Sequence, residues 1–443
     1  MSKESNNVSN SSFLESWRTC VVNQLSPHNI GQKVKVAGWV EDIRPLGSIL
    51  FITLRDISGM SQIVIRKKSE IDNLYNDALK IPRQSSVSIL GVVKQSKAKG
   101  ISVELDGEEI SLLSPAIHPL PIDPTGRVES SMDLRLNSRA LDLRNPTNAS
   151  IFKIRHTILQ SVRKTLVDVG CIEVQTPKLI GQAAEGGASL FSLDYYGTTA
   201  YLAQSPQLYK EQLTLSLDRV FEISDYFRAE KSNTRRHLSE FVSADLEAAY
   251  CDAKDVMKIC EKMVTQCIED VIKKNQSELV ILNKKLVLPS TPFPIITYED
   301  AINQLNQYGF TLNLGDDLTD SALKKLGEIY PGYFFIIEWP ESLKPFYIHV
   351  QDDISQSFDL QFGYLELASG GQRISNREAL ETRMRRLGLD PKQFSDHIKS
   401  FDWGMPPHSG WGFGLDRFSM ILTGKQNIRE VVLYPRDQSR LTP

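Results

Sequence analysis

The chain has 443 residues, of which 41% are hydrophobic and 24% charged. This is an ordinary soluble composition, long enough for two or three domains. A formal net charge of −3 excludes an overall basic footprint, so any RNA contact must be local. No apolar run approaches the roughly 18 residues of a membrane span. Five cysteines, Cys20, Cys171, Cys251, Cys260 and Cys267, form no CxxC pair and are odd in number. That argues against a disulfide framework and a zinc site, and for a reducing cytoplasm.

Residues 1–25 begin MSKESNNVSNSS, a polar run without the apolar core of a signal peptide, and read as a flexible arm. Residues 26–118 read as β. Val34, Val36, Gly38 and Val40 alternate with other residues; Leu50, Ile52 and Leu54 face one way, Ile49, Phe51, Thr53 and Arg55 the other. A turn at Gly59 leads into 62–65, and 91–93 and 101–105 continue the pattern, with a short helical piece near 75–80. Five strands with an interposed helix fit an OB-fold, a platform for single-stranded nucleic acid. Local basic patches are Arg66-Lys67-Lys68, then Lys94, Lys97 and Lys99, and Arg383, Arg385 and Arg386. Pro115, Pro119, Pro121 and Pro124 place a proline-rich hinge at 119–140.

A second domain is expected over 141–443. Ile151, Ile154, Ile158, Val162, Leu166 and Val169 recur at helical spacing until Gly170. A strand follows at 171–174, closed by Thr176-Pro177, and a second amphipathic helix carries Val256, Ile259, Met263, Cys267 and Val271. The rest mixes strands and helices without βαβ alternation, and neither GxGxxG nor GxxxxGK[ST] occurs. Chemistry concentrates in two arginine segments: Phe227-Arg228-Ala229-Glu230 with Arg236-His237-Leu238, and Gly412-Phe413-Gly414-Leu415-Asp416-Arg417. Between them lie Asp359, Glu366, Ser369 and Arg373. Arginine forks bind phosphate oxygens in a bidentate way, and one or two carboxylates beside phosphates suit Mg²⁺. The pattern predicts a nucleoside triphosphate bound without a P-loop.

In this order the segments resemble class II aminoacyl-tRNA synthetases, and within them the aspartyl enzymes of the archaeal/eukaryotic type, over about residues 30–443. The helix and strand ending at Pro177 look like motif 1, the dimer element of that family; the two arginine segments look like motifs 2 and 3. Gln204-Ser205-Pro206-Gln207-Leu208-Tyr209-Lys210, Ser369-Gly370-Gly371-Gln372-Arg373 and the carboxyl end (Arg436-Asp437 and Arg440-Leu441-Thr442-Pro443) are similar to aspartate-type segments. The resemblance implies an α+β protein: an N-terminal OB-fold β-barrel and a catalytic domain built on an antiparallel β-sheet flanked by helices. It implies ATP contacts from Arg228, Ala229, Glu230, Arg236, His237, Leu238 and Phe241, with Glu366, Gly414, Leu415, Asp416 and Arg417. Arg228 and Arg417 would be the catalytic arginines, and Phe241 would stack on adenine.

Aspartate contacts are implied for Glu185, Gln207, Lys210, Arg228, Ser369 and Arg373, the cations Lys210 and Arg373 selecting the side-chain carboxylate. Mg²⁺ is expected on Glu366, Ser369 and Asp359. Seven residues separate the two acids, so on one unbroken strand they would face opposite sides; sharing a site requires a turn or bulge near Gly363. Arg44, Phe51 and Gln62 match anticodon-binding positions. The implied partners are tRNA, ATP, L-aspartate and a second copy in a homodimer, in the cytoplasm and without a membrane.

Two positions depart from the family pattern. Motif 3 ends Leu-Asp-Arg where many archaeal-type members have Glu, and Glu41 occupies a place where aspartyl enzymes differ with tRNA choice. Whether tRNA-Asn is charged as well stays open. Rival readings are an asparaginyl-tRNA synthetase, an ATP-dependent asparagine synthetase on the same catalytic domain, and a non-catalytic RNA-binding paralogue. Lys210 with Gly370-Gly371-Gln372-Arg373, the OB-like segment and the intact arginines argue against them in turn.

Overall fold

A computed structural model describes residues 16–181, 190–229 and 234–443. They divide into two compact units that meet between Pro146 and Thr147. In the first unit, strands β1 (Lys33–Leu46), β2 (Ile49–Arg55), β3 (Met60–Arg66), β4 (Ser86–Gln95) and β5 (Val103–Ser114) close a barrel in the order β1-β2-β3-β5-β4. Helix α1 (Asn73–Leu79) is inserted between β3 and β4, its N-terminus capped by the Asp72 side chain. The two-residue period decides the interior: Leu50, Ile52 and Leu54 are fully buried with Val36, Val40, Ile63, Ile65 and Ile89.

One expectation is corrected here. Residues 16–25, placed in a flexible arm, pack on the barrel: Val22 and Leu25 join its core. The Val22 amide donates to Asp56 Oδ2 (2.9 Å) and the Ser88 hydroxyl to the Trp17 carbonyl (2.7 Å). The polar composition of residues 1–15 concealed the apolar pair that follows. Two short helices, Met132–Asn137 and Arg139–Asp142, lie at the end of the proline-rich stretch.

The second unit opens with helix α2 (Pro146–Asp168), stopped where Gly170 takes φ +85°. The elements that build its sheet and site are β6 (Ile172–Glu173), α3 (Gln207–Leu217), β7 (Arg219–Phe227), β8 (Glu240–Ala249), α4 (Ala253–Lys274), β9 (Ile295–Thr297), β10 (Tyr333–Ile337), β11 (Ser357–Phe362), β12 (Leu365–Gln372), β13 (His408–Gly414) and α5 (Leu415–Thr423). The eight strands run in the order β9-β10-β11-β12-β13-β8-β7-β6. Six are antiparallel, and β9 and β6 pair in parallel at the two edges.

Parity on β13 separates the two faces. Trp411 and Phe413 are fully buried in the core with Leu246 of β8, Ile154, Ile158 and Val162 of α2, and Val256, Cys260, Met263 and Cys267 of α4. The indole Nε1 donates to the Val256 carbonyl (3.1 Å), leaving no unpaired polar atom from the largest core residue. Cys260 and Cys267 serve as small apolar side chains; burial pushes the Cys267 thiol up to about 12. The opposite face of β13 carries Gly410, Gly412 and Gly414, in register with Glu247, Asp245 and Ser243 of β8.

A methyl group at Gly410 would lie 2.2 Å from Glu247 Oε2 and 2.2 Å from the Leu246 carbonyl oxygen. Because one of those atoms is backbone, Gly410→Ala is expected to destabilise the second unit by about 1–3 kcal/mol. A urea midpoint equal to that of the unsubstituted protein would refute this.

Candidate active site

Segments far apart in sequence are tied together beside the glycine face. Arg228 follows β7; its amide donates to the Ser239 carbonyl (2.9 Å) and its guanidinium lies 5.2 Å from the Phe241 ring centre. Arg417, in the first turn of α5, donates from Nη1 to the Glu366 carbonyl (2.8 Å) and from Nη2 to His237 Nε2 (3.1 Å). An arginine cannot accept, so His237 Nε2 is unprotonated and its proton sits on Nδ1, donated to Thr234 Oγ1 at 2.7 Å. Asp416 uses both carboxylate oxygens on scaffold: one pairs with Arg155 of α2, the other accepts the Val242 amide (2.9 Å). Arg236 pairs with Asp320, and its guanidinium lies 5.1 Å from the Tyr364 ring centre.

These residues border a three-lobed cleft. The first lobe, about 740 Å³, is lined by Arg228, Arg236, His237, Phe241, Gly414 and Arg417. The second, about 840 Å³, is lined by Gln204, Gln207, Tyr226, Arg228, Tyr347 and Arg373. The third, about 1160 Å³, is lined by Arg236, Asp320, Lys344, Asp359, Gln361 and Arg417. Glu366 and Ser369 line all three.

The parity problem of the two acids is solved by a hairpin. The chain reverses at Gly363, φ +59°, so Gln361 of β11 faces Glu366 of β12 and Asp359 stands two residues along the same face. Leu367 forms a bulge between the pairs Gln361↔Glu366 and Leu360↔Ala368. That bulge brings Ser369, three residues from Glu366, onto the cleft side opposite Asp359. Burial and the Asp359 carboxylate push the Glu366 carboxyl above its usual range, against the pull of Arg417, Lys344 and Arg228. Asp359 accepts from Lys344 Nζ with both oxygens, at 2.8 and 2.7 Å. Two oxygen acids under mutual repulsion fit a divalent cation bound with phosphates. Glu366 and Ser369 can reach it directly, Asp359 only by releasing Lys344 or through water. Among the described residues no group of three His, Cys, Asp or Glu side chains could hold a metal by itself, so phosphate oxygens must complete such a site.

The second lobe corrects the expected role of Lys210. Its ammonium donates to Asp245 Oδ1 (3.1 Å), the Trp411 carbonyl (3.2 Å) and the Leu246 carbonyl (3.4 Å), and stands 3.5 Å from Glu247. All three N–H groups are used within the protein, and Lys210 itself lines none of the three lobes, although its partner Asp245 lines the second. Arg373 does line the second lobe, with a bidentate pair to Glu247 at 2.9 and 3.1 Å. Asp245 and Glu247 went unnoticed in the sequence, although Ser243, Asp245 and Glu247 alternate with Ala244, Leu246 and Ala248. That period-2 pattern is the signal that marks them. Lys344 and Tyr347 carried no such signal.

Leu238 borders the first lobe and packs in a small cluster with Ile151 and Met420. Leu415 is corrected from ATP contact to core: it is buried against the α2–α4 layer and lines none of the lobes. Ala229 also lines none of them. Glu185 and Glu230 lie outside the described residues. In the barrel, Arg44 faces Phe51 across β1–β2, and Gln62 faces Thr53 across β2–β3, so all three share the outer surface. Phe51 is half-buried there, outside the barrel core. Gln62 Nε2 donates to Glu104 (3.1 Å), while Glu41 accepts from Arg55 (2.9 Å) and Gln84 (3.1 Å).

Residues 131–438 match the family described as tRNA synthetases class II (D, K and N), and residues 34–113 match the OB-fold nucleic acid binding domain. An aspartate–tRNA(Asp/Asn) ligase of Methanothermobacter thermautotrophicus is 43% identical over 96% of this chain and 98% of its own length. The structure of an asparaginyl-tRNA synthetase from Pyrococcus horikoshii, complexed with asparaginyl-adenylate, superposes with a TM-score of 0.90 at 32% identity, covering 96% of this chain and 99% of that one. An aspartyl-tRNA synthetase from Entamoeba histolytica gives 0.85 at 31% identity, covering 95% and 92%.

The raised Glu366 carboxyl fixes the sign of a pH effect. The folded chain holds that proton more tightly than the unfolded chain, so its contribution to stability falls as pH rises from about 4.5 through the raised value. Without nucleotide or metal, Glu366→Gln is expected to melt above the unsubstituted protein at pH 7. The gap should close toward pH 4, where both side chains are neutral. Parallel melting curves at both pH values would contradict this.

Proposed function

This chain belongs to the class II tRNA synthetases of the D, K and N group, and we propose that it attaches L-aspartate to tRNA-Asp through an aspartyl-adenylate. What carries the reading is the continuous cleft in which Arg228 borders both the first and second lobes, with Arg417 in one and Arg373 in the other. Two substrates placed in those lobes would meet at Arg228. The aspartate α-carboxylate attacks the α-phosphorus of ATP in line; the P–O bond to pyrophosphate breaks, and the mixed anhydride forms. No side-chain nucleophile is needed. The chain contributes position and charge.

Arg228 neutralises the α-phosphate as it becomes pentacoordinate. Arg417 and Arg236 take the outer phosphates, and Phe241 stacks on adenine. His237, protonated on Nδ1, fixes Arg417, while Asp416 joins α5 to β8 and α2. A magnesium ion bound with ATP supplies neutralisation of the phosphate charge; Glu366 and Ser369 would hold it, with Asp359 beside them. The terminal ribose hydroxyl of tRNA then attacks the anhydride carbonyl, releasing AMP.

Arg373 spends two of its five N–H groups on Glu247. The remaining three can receive the aspartate side-chain carboxylate. Lys210 serves this indirectly, by holding Asp245 and Glu247. A second reading, asparagine as substrate, has one observation in its favour: both cations are already matched by Asp245 and Glu247. Amino-acid-dependent pyrophosphate exchange with aspartate and asparagine in parallel separates the two.

The barrel would hold the anticodon through Arg44, Phe51 and Gln62. The name of the archaeal relative extends the proposal to tRNA-Asn as a second acceptor. A homodimer is proposed through the motif 1 element, where Val167 and Ile172 are exposed apolar residues suited to an isologous contact. No helix among the described residues is long and apolar enough to cross a membrane; five free cysteines suit the cytoplasm.

Arg228→Ala is expected to lower aspartate-dependent pyrophosphate exchange by about 100- to 1,000-fold or more; full exchange would remove Arg228 from the reaction. Phe51→Ala is expected to weaken tRNA charging by the equivalent of about 1–3 kcal/mol while exchange stays intact. Equal loss of both would make Phe51 a fold residue. Charging purified tRNA-Asp and tRNA-Asn side by side decides the acceptor set.

A further inference from the structure

Behind the second lobe lies a buried cluster that no step above uses. Glu211 of α3 is fully buried, as are His408 at the start of β13 and His397 in the short helix Ser395–Ser400. Glu211 Oε2 stands 3.5 Å from Nε2 of each histidine. These three atoms have no hydrogen-bond partner of ordinary length, and their 3.5 Å contacts with one another join the cluster. Glu211 Oε1 accepts from Gln207 Nε2 at 2.6 Å, one helical turn earlier.

The outer ring nitrogens fix the protons. His408 Nδ1 faces the Pro406 carbonyl (2.8 Å) and must donate to it. His397 Nδ1 faces the Gln212 amide nitrogen (3.4 Å) and must accept. A neutral His397 therefore carries its proton on Nε2, toward Glu211. A neutral His408 would aim a lone pair at the same carboxylate. Only as an imidazolium does His408 donate on both sides. Charge counting agrees, because Lys210 and Arg373 are already matched by Asp245 and Glu247, and a buried Glu211 needs its own cation. Burial opposes the Glu211 carboxylate, yet the two histidines hold its pKa below the usual range, and Glu211 raises His408.

We propose that Glu211, anchored by His397 and His408, is a positioning residue for amino-acid recognition. By capturing the Gln207 amide nitrogen it turns the Gln207 side-chain carbonyl toward the second lobe, where it accepts from the substrate ammonium. Gln207 lines that lobe and Glu211 does not, so Glu211 acts only through it. Without the carboxylate the Gln207 amide is free to reverse and aim its NH₂ at a cation. The inference rests on reading the second lobe as the amino-acid site.

The test is a double-variant cycle in pyrophosphate exchange on the full chain, reading KM for aspartate and for ATP separately. Glu211→Ala is expected to raise KM for aspartate about tenfold, the scale of one charge-assisted hydrogen bond, with KM for ATP unchanged. Gln207→Ala should do the same, and the double variant should be no worse than either. Glu211→Gln should restore KM for aspartate to within about threefold, since its carbonyl accepts from Gln207 and its NH₂ donates to a neutral histidine. If Glu211→Ala does not fold, Glu211→Leu fills the space without a charge and is read the same way. Additive losses, a parallel rise in KM for ATP, or no rescue by Glu211→Gln would overturn the proposal. If the unsubstituted protein exchanges only with asparagine, the functional reading fails instead; the same cycle run with asparagine, which carries the same ammonium, still decides the role of Glu211.

Discussion

Buried charge must be matched in place, and that constraint shapes the catalytic unit from its floor upward. Lys210, Asp245, Glu247 and Arg373 are all nearly inaccessible to water, where an unpaired ion is strongly destabilising. Their pairing needs the acids of β8 to lie across β13, and a side chain on β13 at Gly410 would occupy that space. Glycine on one face of a strand and Trp411 and Phe413 on the other is the solution this chain adopts. The glycines make room for the ion network and a flat cleft floor; the aromatic residues secure the strand to the helices behind it.

The cleft depends on a second set of links, between segments that share no sequence neighbourhood. Arg417 reaches both the β12 backbone at Glu366 and the His237 ring. Asp416, its neighbour, joins α5 to β8 and to Arg155 of α2. One turn of helix therefore fixes the separation of the arginine-rich segment from the acid hairpin. Preorganisation of this kind lets fixed donors stabilise developing charge without reorganising during the reaction. Asp416 lines the first lobe, and both its oxygens are engaged by Arg155 and the Val242 amide, so its reach toward β8 sets its place before Arg417.

Local patterns made much of this legible. The period of 2 in β2 separated Leu50, Ile52 and Leu54 from Phe51, and the helical spacing of Ile154, Ile158 and Val162 marked the layer under the sheet. The motif arginines and Glu366 were visible as residue types at spacings that suit phosphate and magnesium. Other features depend on contacts between distant segments, which spacing alone does not encode. Lys210 looked like a cation for substrate because its three acceptors come from β8 and β13. Leu415 sits inside a motif, but one residue of helical phase turns it to the core while Asp416 and Arg417 face the cleft side. The bulge at Leu367 has no residue signature, yet without it Ser369 would not share a face with Glu366. Glu211 and its histidines were invisible for the same reason: 186 and 197 positions separate the members of that cluster, from 211 to 397 and to 408.

On the proposed function, selection between an acid and its amide would turn on how few donors are left over. With Asp245 and Glu247 in place, Lys210 and Arg373 are matched within the protein, so on that function net positive charge alone would not select the acid. On the same reading, the two substrates would be distinguished by the Arg373 N–H groups left after its pairing with Glu247. A carboxylate can accept from them with both oxygens, whereas an amide offers one oxygen and brings an NH₂ donor against a cation, leaving buried N–H groups without acceptors. A site of this kind discriminates by unsatisfied hydrogen bonds more than by net charge. On that reading the loss of Glu247 would blur the choice: without it the Arg373 fork is free to turn, and the direction of its remaining donors is no longer set by its pairing with Glu247.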